Sequence, residues 1–313
     1  MSTGKFRLVT RSDFDGLVCA VLLRALDMID EITFVHPKDV QDGLVEVGPG
    51  DILTNLPYAP EAHMVFDHHH SETLRVGGTP DNHIIVEEAP SAARVVYDHF
   101  GGAPVFPMIS DELMRAVDQA DSADYALEDI LRPRGWTLLN FLMDSRTGLG
   151  RFRDFRISNY QLMMQLIDSV LNEATVEDIL AEPDVAERVE LFHAQSELFV
   201  AQLQRVCIER GDLVVVDLRD EDIIHAGNRF MVYALFPQCR VSAHVIWGKQ
   251  KQNTVLAVGK SILDRTSPVD IGSLMLRYGG GGHHAAGTCQ VPHDQTDRVL
   301  SEIAAAVNEP ARV

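Results

Sequence analysis

Four short stretches of this chain combine residue types that can hold a cation and a phosphate. Residues 279–287 read Gly-Gly-Gly-Gly-His-His-Ala-Ala-Gly, a glycine run followed at once by a titratable ring. Without Cβ atoms, such a run lets backbone N–H groups close on an anion, and His283 adds a side chain that can carry charge. The run sits between the apolar stretch Ile271–Leu276 and the strand-like Thr288–Val291, a packed junction rather than a linker. It reads as a grip for phosphate or carboxylate. Arg277, just before it, and Arg265 are either phosphate contacts, because a guanidinium matches phosphate bidentately, or solvated helix charges.

The second stretch is Asp67-His68-His69-His70, which follows Met64-Val65-Phe66. At the carboxyl end of a strand these side chains stand where open α/β sheets bind ligands. Carboxylate with imidazole suits Mn, Zn or Fe better than Ca or Mg. The third is Ser12-Asp13-Phe14-Asp15-Gly16, directly after Phe6–Thr10, with two carboxylates placed to face one cation. The fourth, Asp118 to Asp124, offers Asp121 to complete a ligand set and Asp118 as the second choice. His36 and Lys38, after the second strand candidate, divide evenly between phosphate contact and ordinary polar loop.

Short apolar runs alternating with helical periods must position these groups. Strands are expected at Leu8–Thr10, Ile32–Val35, Asp51–Thr54, Met64–Phe66 and Ile84–Val86, with helices over Leu17–Met28 and Ser91–Phe100. That alternation predicts a parallel sheet with helices on both faces. From about Ser110 to Glu209 the pattern is helical, and its last helix opens on an Asp184–Glu187 capping box and closes before Gly211. Strands resume at Leu213–Val216, Phe230–Ala234, Val241–Ile246 and Val255–Val258, which places a domain boundary in or just after that helix.

The 313 residues suffice for two cores, and a net charge of −19 argues against long duplex DNA or other nonspecific nucleic-acid partners. Four scattered cysteines (Cys19, Cys207, Cys239, Cys289) form no zinc or disulfide pattern and fit a reducing cytoplasm. The start of the chain has no signal-peptide core, and no apolar run reaches membrane-spanning length. A small phosphorylated substrate is the expected partner, and a homodimer is open.

Taken together, Asp13 and Asp15, the Asp67-His68-His69 triplet, the Asp121 segment and the glycine–histidine loop resemble the DHH phosphoesterase family, over nearly the whole chain and in the expected order. That family includes RecJ-like exonucleases, oligoribonucleases, cyclic-dinucleotide phosphodiesterases and exopolyphosphatase-like proteins. The resemblance implies an α/β fold: a parallel-sheet metal-binding domain over 1–195, a linking helix end over 196–211, and a smaller substrate-binding domain over 212–313. It implies a Mn-containing site in the cleft between the domains, faced by the glycine loop. It assigns Asp13, Asp15, His68 and Asp121 to metal, and Asp67 and His69 to supporting the ligands and contacting phosphate. Gly280, Gly281, Gly282 and His283 fall on the substrate grip.

Two departures stand out against the family pattern. Arg11 stands where a metal-binding histidine is usual, and Asn55 where an aspartate bridges two metals. A guanidinium has no lone pair to offer a cation. The expectation is therefore one tight Mn2+ (or Mg2+) site built from Asp15, His68 and Asp121, with Asn55 or water completing it. Arg11 would pair with Asp13 as a substitute cation. The implied activity is metal-dependent hydrolysis of a short oligonucleotide, a dinucleotide or polyphosphate. The low aromatic content (7%) leans toward polyphosphate, since base-stacking platforms need aromatics. The competing reading is a degenerate member that binds nucleotide or phosphate without turnover.

Overall fold

The structure, a computed structural model, describes residues 4–78, 80–144, 149–152, 154–282 and 284–309. The chain divides into two compact units, one of residues 1–124 and 133–191, the other of 125–132 and 192–313.

The first unit opens with β1 (Phe6–Thr10), α1 (Phe14–Ala25), β2 (Ile29–Phe34), α2 (Pro37–Gln41), β3 (Asp51–Thr54) and β4 (Met64–Asp67). It continues with α3 (His70–Val76), β5 (His83–Ile85), α4 (Ala92–His99) and α5 (Asp111–Asp121). The strands form a parallel sheet in the order β2-β1-β3-β4-β5. Every side chain of β3 is buried, as expected where both faces of a parallel sheet are covered. Every residue from Phe14 to Leu23 in α1 is buried as well, and α4 and α5 pack on it, as does the later helix α8 (Asn159–Leu171). A helix apolar all round must lie inside, so Asp15, its one acid, is carried into the core. Gly16 is required at the start of α1. A Cβ there would lie 2.1 Å from the carbonyl oxygen of Arg11, which the tight β1–α1 turn brings against it.

Further helices follow: α6 (Leu127–Leu131, in the second unit), α7 (Gly135–Met143), α8, α9 (Val176–Ala181) and the long α10 (Pro183–Val206), within which the units divide. The expected capping box at Asp184 is absent. Pro183 takes the first helical position, and Asp184 receives the Arg156 guanidinium at 2.8 Å through both oxygens.

The second unit adds β6 (Cys207–Arg210), β7 (Leu213–Asp217), α11 (Met231–Leu235), β8 (Val241–Trp247), β9 (Thr254–Lys260), α12 (Ile271–Leu276), β10 (Gly281–Gly282), β11 (Ala286–Val291) and α13 (Thr296–Asn308). Its mixed sheet runs β10-β11-β9-β8-β7-β6. Two elements differ from expectation. Gly211 does not end the long helix. It turns the β6–β7 hairpin at φ 68°, where Arg210 pairs Leu213. The apolar run at Phe230–Ala234 is helical because Asn228 starts a turn: its side chain accepts the Phe230 N–H and its carbonyl the Met231 N–H, both at 2.9 Å. Both units together give the α/β fold with a smaller second domain that the sequence predicts. Among the described residues no helix is long and apolar enough to cross a membrane.

Candidate metal centre and glycine loop

The parallel register aligns Thr10 of β1 with Thr54 of β3, and Thr54 with Phe66 of β4. The next residue along each strand end is therefore Arg11, Asn55 and Asp67, one row across the carboxyl edge. In a 2-1-3 order the chain leaves β1 in opposite directions, and this switch point is where doubly wound sheets bind ligands. The Asp13 and Asp67 turns, at the ends of β1 and β4, are not on adjacent strands: β3 separates them and inserts Asn55.

Asp13 caps α1, its Oδ1 accepting the Gly16 N–H at 3.0 Å while Oδ2 lies 3.1 Å from Arg11 Nε. Asp15 is 3% exposed, and its two oxygens accept the N–H groups of Ala93 (2.7 Å) and Ala92 (3.1 Å) at the start of α4. Burial, then the charge of Asp121, pushes the Asp15 carboxyl well above its usual range, against the pull of His68. Asp118, the second-choice ligand, is committed elsewhere: it accepts from Ser91 Oγ (2.8 Å) and from Arg94 Nε and Nη2 (3.0 and 2.6 Å). Asp121 instead faces His68, with Oδ2 2.9 Å from Nε2.

The chemistry of that contact decides what belongs there. His68 Nδ1 lies 3.0 Å from the carbonyl of Ala89, which can only accept, so Nδ1 carries the proton. In a neutral ring Nε2 then presents a lone pair to a carboxylate, and Nε2 has no aligned donor among the described residues. Two acceptors 2.9 Å apart need a cation between them, either a proton or a metal. Burial opposes a charge on His68, but the hydrogen bond and charge of Asp121, with Asp15, raise its pKa. Burial likewise opposes the Asp121 carboxylate, and His68 more than offsets it, lowering the pKa. Donor atoms of Asp15, His68 and Asp121 lie within 4.8 Å of one another, as do those of Asp67, His68 and His69.

Asp67 is wholly buried. Its Oδ1 accepts the N–H groups of His68 (2.8 Å) and His69 (3.3 Å) and stands 2.6 Å from His69 Nδ1, while Oδ2 has no partner among the described residues. Asn55, 1% exposed and held at φ 55°, likewise leaves Oδ1 and Nδ2 without partners. Buried polar atoms without partners are rare and costly. Here they converge on one sheet edge with a nitrogen lone pair and carboxylates, and that donor set fits a divalent cation of the Mn type.

In the second unit, the glycines have a packing reason. A Cβ on Gly280 would sit 2.1 Å from Thr288 O, and one on Gly282, at φ 151°, 2.2 Å from Ala286 O, so only glycine lets β10 lie against β11. His283 lies outside the described residues. Its neighbour His284 is engaged, with Nε2 2.8 Å from Lys260 Nζ and Nδ1 3.5 Å from Asp270. Arg277 lines a surface pocket of about 420 Å³ with Tyr278, Arg298 and Glu302. Arg265 is exposed. His36 caps α2 through Nδ1, and Lys38 pairs with Asp42 at 2.8 Å, so both have local roles.

No protein-family model matches the chain, and no curated protein does. Among solved structures it is similar to PggH, a pGpG-specific phosphodiesterase from Vibrio cholerae. The two share 56% identity and a TM-score of 0.81, over 97% of this chain and 99% of that one. The chain belongs to the DHH phosphoesterase family. The fold is also that of RecJ from Thermus thermophilus, solved with Mn2+ and with Mg2+. Identity there is 17% and the TM-score 0.51 in both cases, over 99% of this chain and 53% and 51% of RecJ. As a DHH protein the chain is a metal-dependent phosphoesterase.

Motif reading passed over several groups of this DHH protein: the Ala89 carbonyl, the Ala92 and Ala93 N–H groups, and the Lys260–His284–Asp270 line. The backbone groups carry no side-chain signature. The helix expected from Ser91 does begin there, with Ser91 Oγ capping α4 by accepting the Arg94 N–H, but nothing local shows that its first N–H groups meet Asp15.

Proposed function

We propose that this protein is a Mn2+- or Mg2+-dependent phosphodiesterase that hydrolyses the linear dinucleotide pGpG to two molecules of GMP. The observation that carries the reading is 56% identity to a pGpG-specific phosphodiesterase over 97% of the chain. The Asp15–His68–Asp121 cluster supports it with a donor set that fits one divalent ion. An ion held there supplies Lewis-acid polarisation of the phosphoryl oxygen and lowers the pKa of the attacking water.

The chain's own residues do the rest. The start of α4 fixes Asp15, and the Ala89 carbonyl fixes the tautomer of His68, so both ligands are oriented before any ion arrives. Asp67 fixes the ring of His69, which we assign to stabilising charge on the phosphate as the bond to the 3′ oxygen breaks. The glycine run Gly280–Gly282, with His283 and Arg277, is assigned to gripping the substrate's other phosphate. The site works in the cytoplasm, a placement that four free cysteines support.

The test is a Mn2+-stimulated hydrolysis screen over pGpG, other linear dinucleotides, longer RNA, 3′-phosphoadenosine 5′-phosphate and polyphosphate. Release of GMP from pGpG, at least about tenfold faster than turnover of the other substrates, is the expected result. Hydrolysis of polyphosphate with none of pGpG would overturn the substrate assignment. Tight pGpG binding with no turnover would establish the degenerate alternative.

A further inference from the structure

Of the row Arg11, Asn55 and Asp67 at the sheet edge, the first is a fixed cation, the second a neutral amide, and only the third a carboxylate. Arg11 is half-buried. Its side chain is 33% exposed, Nε pairs with Asp13 Oδ2 at 3.1 Å, and Asp121, Asp15 and Asp144 add to the negative field around it. Burial opposes its charge, and these four carboxylates nevertheless hold its pKa above the ordinary arginine value. Asp13 is spent on the α1 cap and on Arg11. Asn55 is a second, independent sign: buried in the left-handed region, with both polar side-chain atoms unpartnered among the described residues. Aspartate and asparagine both tolerate that backbone, so a neutral residue here removes charge without changing the turn.

We infer that Arg11 is a built-in cation of this site. It occupies the acidic corner that a second divalent ion would need, so the chain holds one exchangeable metal, and its outer nitrogens dock a non-bridging phosphate oxygen of the substrate. This rests on the phosphodiesterase reading above. A guanidinium satisfies carboxylates and phosphate in one plane, cannot be chelated away, and cannot ligate a metal. By neutralising Asp13, and together with the neutral Asn55, it leaves that corner too little negative charge to offset the cost of dehydrating a second ion.

The experiment counts Mn2+ per chain by elemental analysis after gel filtration, records the Mn2+ electron paramagnetic resonance spectrum, and measures pGpG turnover. Wild type should carry one Mn2+ with the spectrum of an isolated ion. Arg11→Ala should keep that ion but lose at least about 30-fold in kcat/KM, the size of effect expected when a charged group that meets the transition state is removed. Arg11→Lys, which keeps charge without the fork and serves even if the alanine variant folds poorly, should recover part of it. The Arg11→His/Asn55→Asp double variant should take up a second Mn2+, seen as an exchange-coupled spectrum. Two Mn2+ in wild type, or wild-type kcat/KM in Arg11→Ala, overturns the inference. A double variant that folds and stays at one ion refutes the claim that these two residues exclude the second. A wild type with one Mn2+ and no activity on pGpG would instead refute the substrate assignment and leave the metal count standing.

Discussion

Asp118 and Asp121 lie three residues apart at the end of one helix, and the structure gives them opposite jobs that mutation can separate. Asp118→Ala strips the acceptor from the Ser91 hydroxyl, itself fully buried, and breaks an ion pair in which Arg94 Nε and Nη2 both donate to Oδ2 and both side chains are less than a quarter exposed. Losing the hydroxyl's acceptor costs about 1 kcal/mol and the charge-assisted pair about 1.5–3 kcal/mol, for a total of about 2.5–4 kcal/mol. For a unit of this size that is a fall in melting temperature of about 5–15 °C. Ser91 also caps α4, whose N–H groups hold Asp15, so Mn2+ affinity should drop by about tenfold and survive. Asp121→Asn is nearly isosteric and removes a charge that acts against ionised Asp15. It also loses the pair with protonated His68, and with these two effects opposed, metal-free stability should stay within about 1 kcal/mol of wild type. What it loses is the gain from Mn2+, about 2.7 kcal/mol for wild type at a hundredfold excess over Kd. Urea unfolding of both variants, with chelator and with Mn2+, reads all four quantities. If Asp118→Ala keeps its metal-free stability but no longer responds to Mn2+, or Asp121→Asn responds like wild type, the ligand assignment is reversed.

Two further outcomes follow from the second unit. His244 on β8 has its pKa pushed down to about 4 by burial and by Arg229. The folded state therefore resists a proton that the unfolded chain accepts. That contribution is fully present above about pH 6.5 and is lost as pH falls toward 4, by up to about 3 kcal/mol. Urea unfolding across that window should show the loss, His244→Asn should remove it, and an unchanged slope in the variant would refute the assignment. Gly282→Ala places a Cβ 2.2 Å from a backbone carbonyl at a strained φ, so β10 must leave β11. The second unit should weaken by about 1–3 kcal/mol, and KM for pGpG should rise about tenfold with Mn2+ binding intact; wild-type values for both would show that the packing is not needed.

Much of the first unit is readable from sequence because its strands are short apolar runs that end on chemistry. Met64-Val65-Phe66 delivers Asp67 and His68, and Phe6–Thr10 delivers Asp13 and Asp15. Strand order is not readable in that way. Nothing local to β1 or β4 says that β3 comes between them, and so the place of Asn55 beside Arg11, which the sequence implies only through the family pattern, rests physically on the register. Phe230–Ala234 misleads because a short apolar run fits a buried helix as well as a strand, and the deciding group, Asn228, lies before it. Gly211 misleads for a related reason: positive φ serves a helix end and a two-residue hairpin equally, and pairing of Cys207–Arg210 with β7 selects the hairpin. The most consequential groups left unread are main-chain atoms, since any residue could supply the Ala89 carbonyl or the Ala92 and Ala93 N–H groups.

Those main-chain atoms also determine what metal binding must expel. Each carboxylate at the sheet edge has a partner of its own: Asp13 has Arg11, Asp15 the start of α4, Asp67 His69 and two backbone N–H groups, and Asp121 has His68. Three of those partnerships can persist beside an ion. The fourth cannot, because the proton shared by His68 Nε2 and Asp121 occupies the lone pair that an ion would take, and the Ala89 carbonyl prevents the ring from offering its other nitrogen. His68 is raised above its ordinary value, so in the metal-free protein at about pH 7.5 the ring is charged, and binding a divalent ion must release its proton. Asp15, also pushed up, adds to the release to the extent that it is protonated. Mn2+ affinity should accordingly climb with pH by about tenfold per unit through the neutral range and flatten above the raised His68 pKa. Titration calorimetry in buffers of different ionisation enthalpy should find at least about one proton released per Mn2+ at about pH 7.5. Zero release would mean that His68 is neutral before the ion arrives, and that the 2.9 Å contact with Asp121 is not held by a proton.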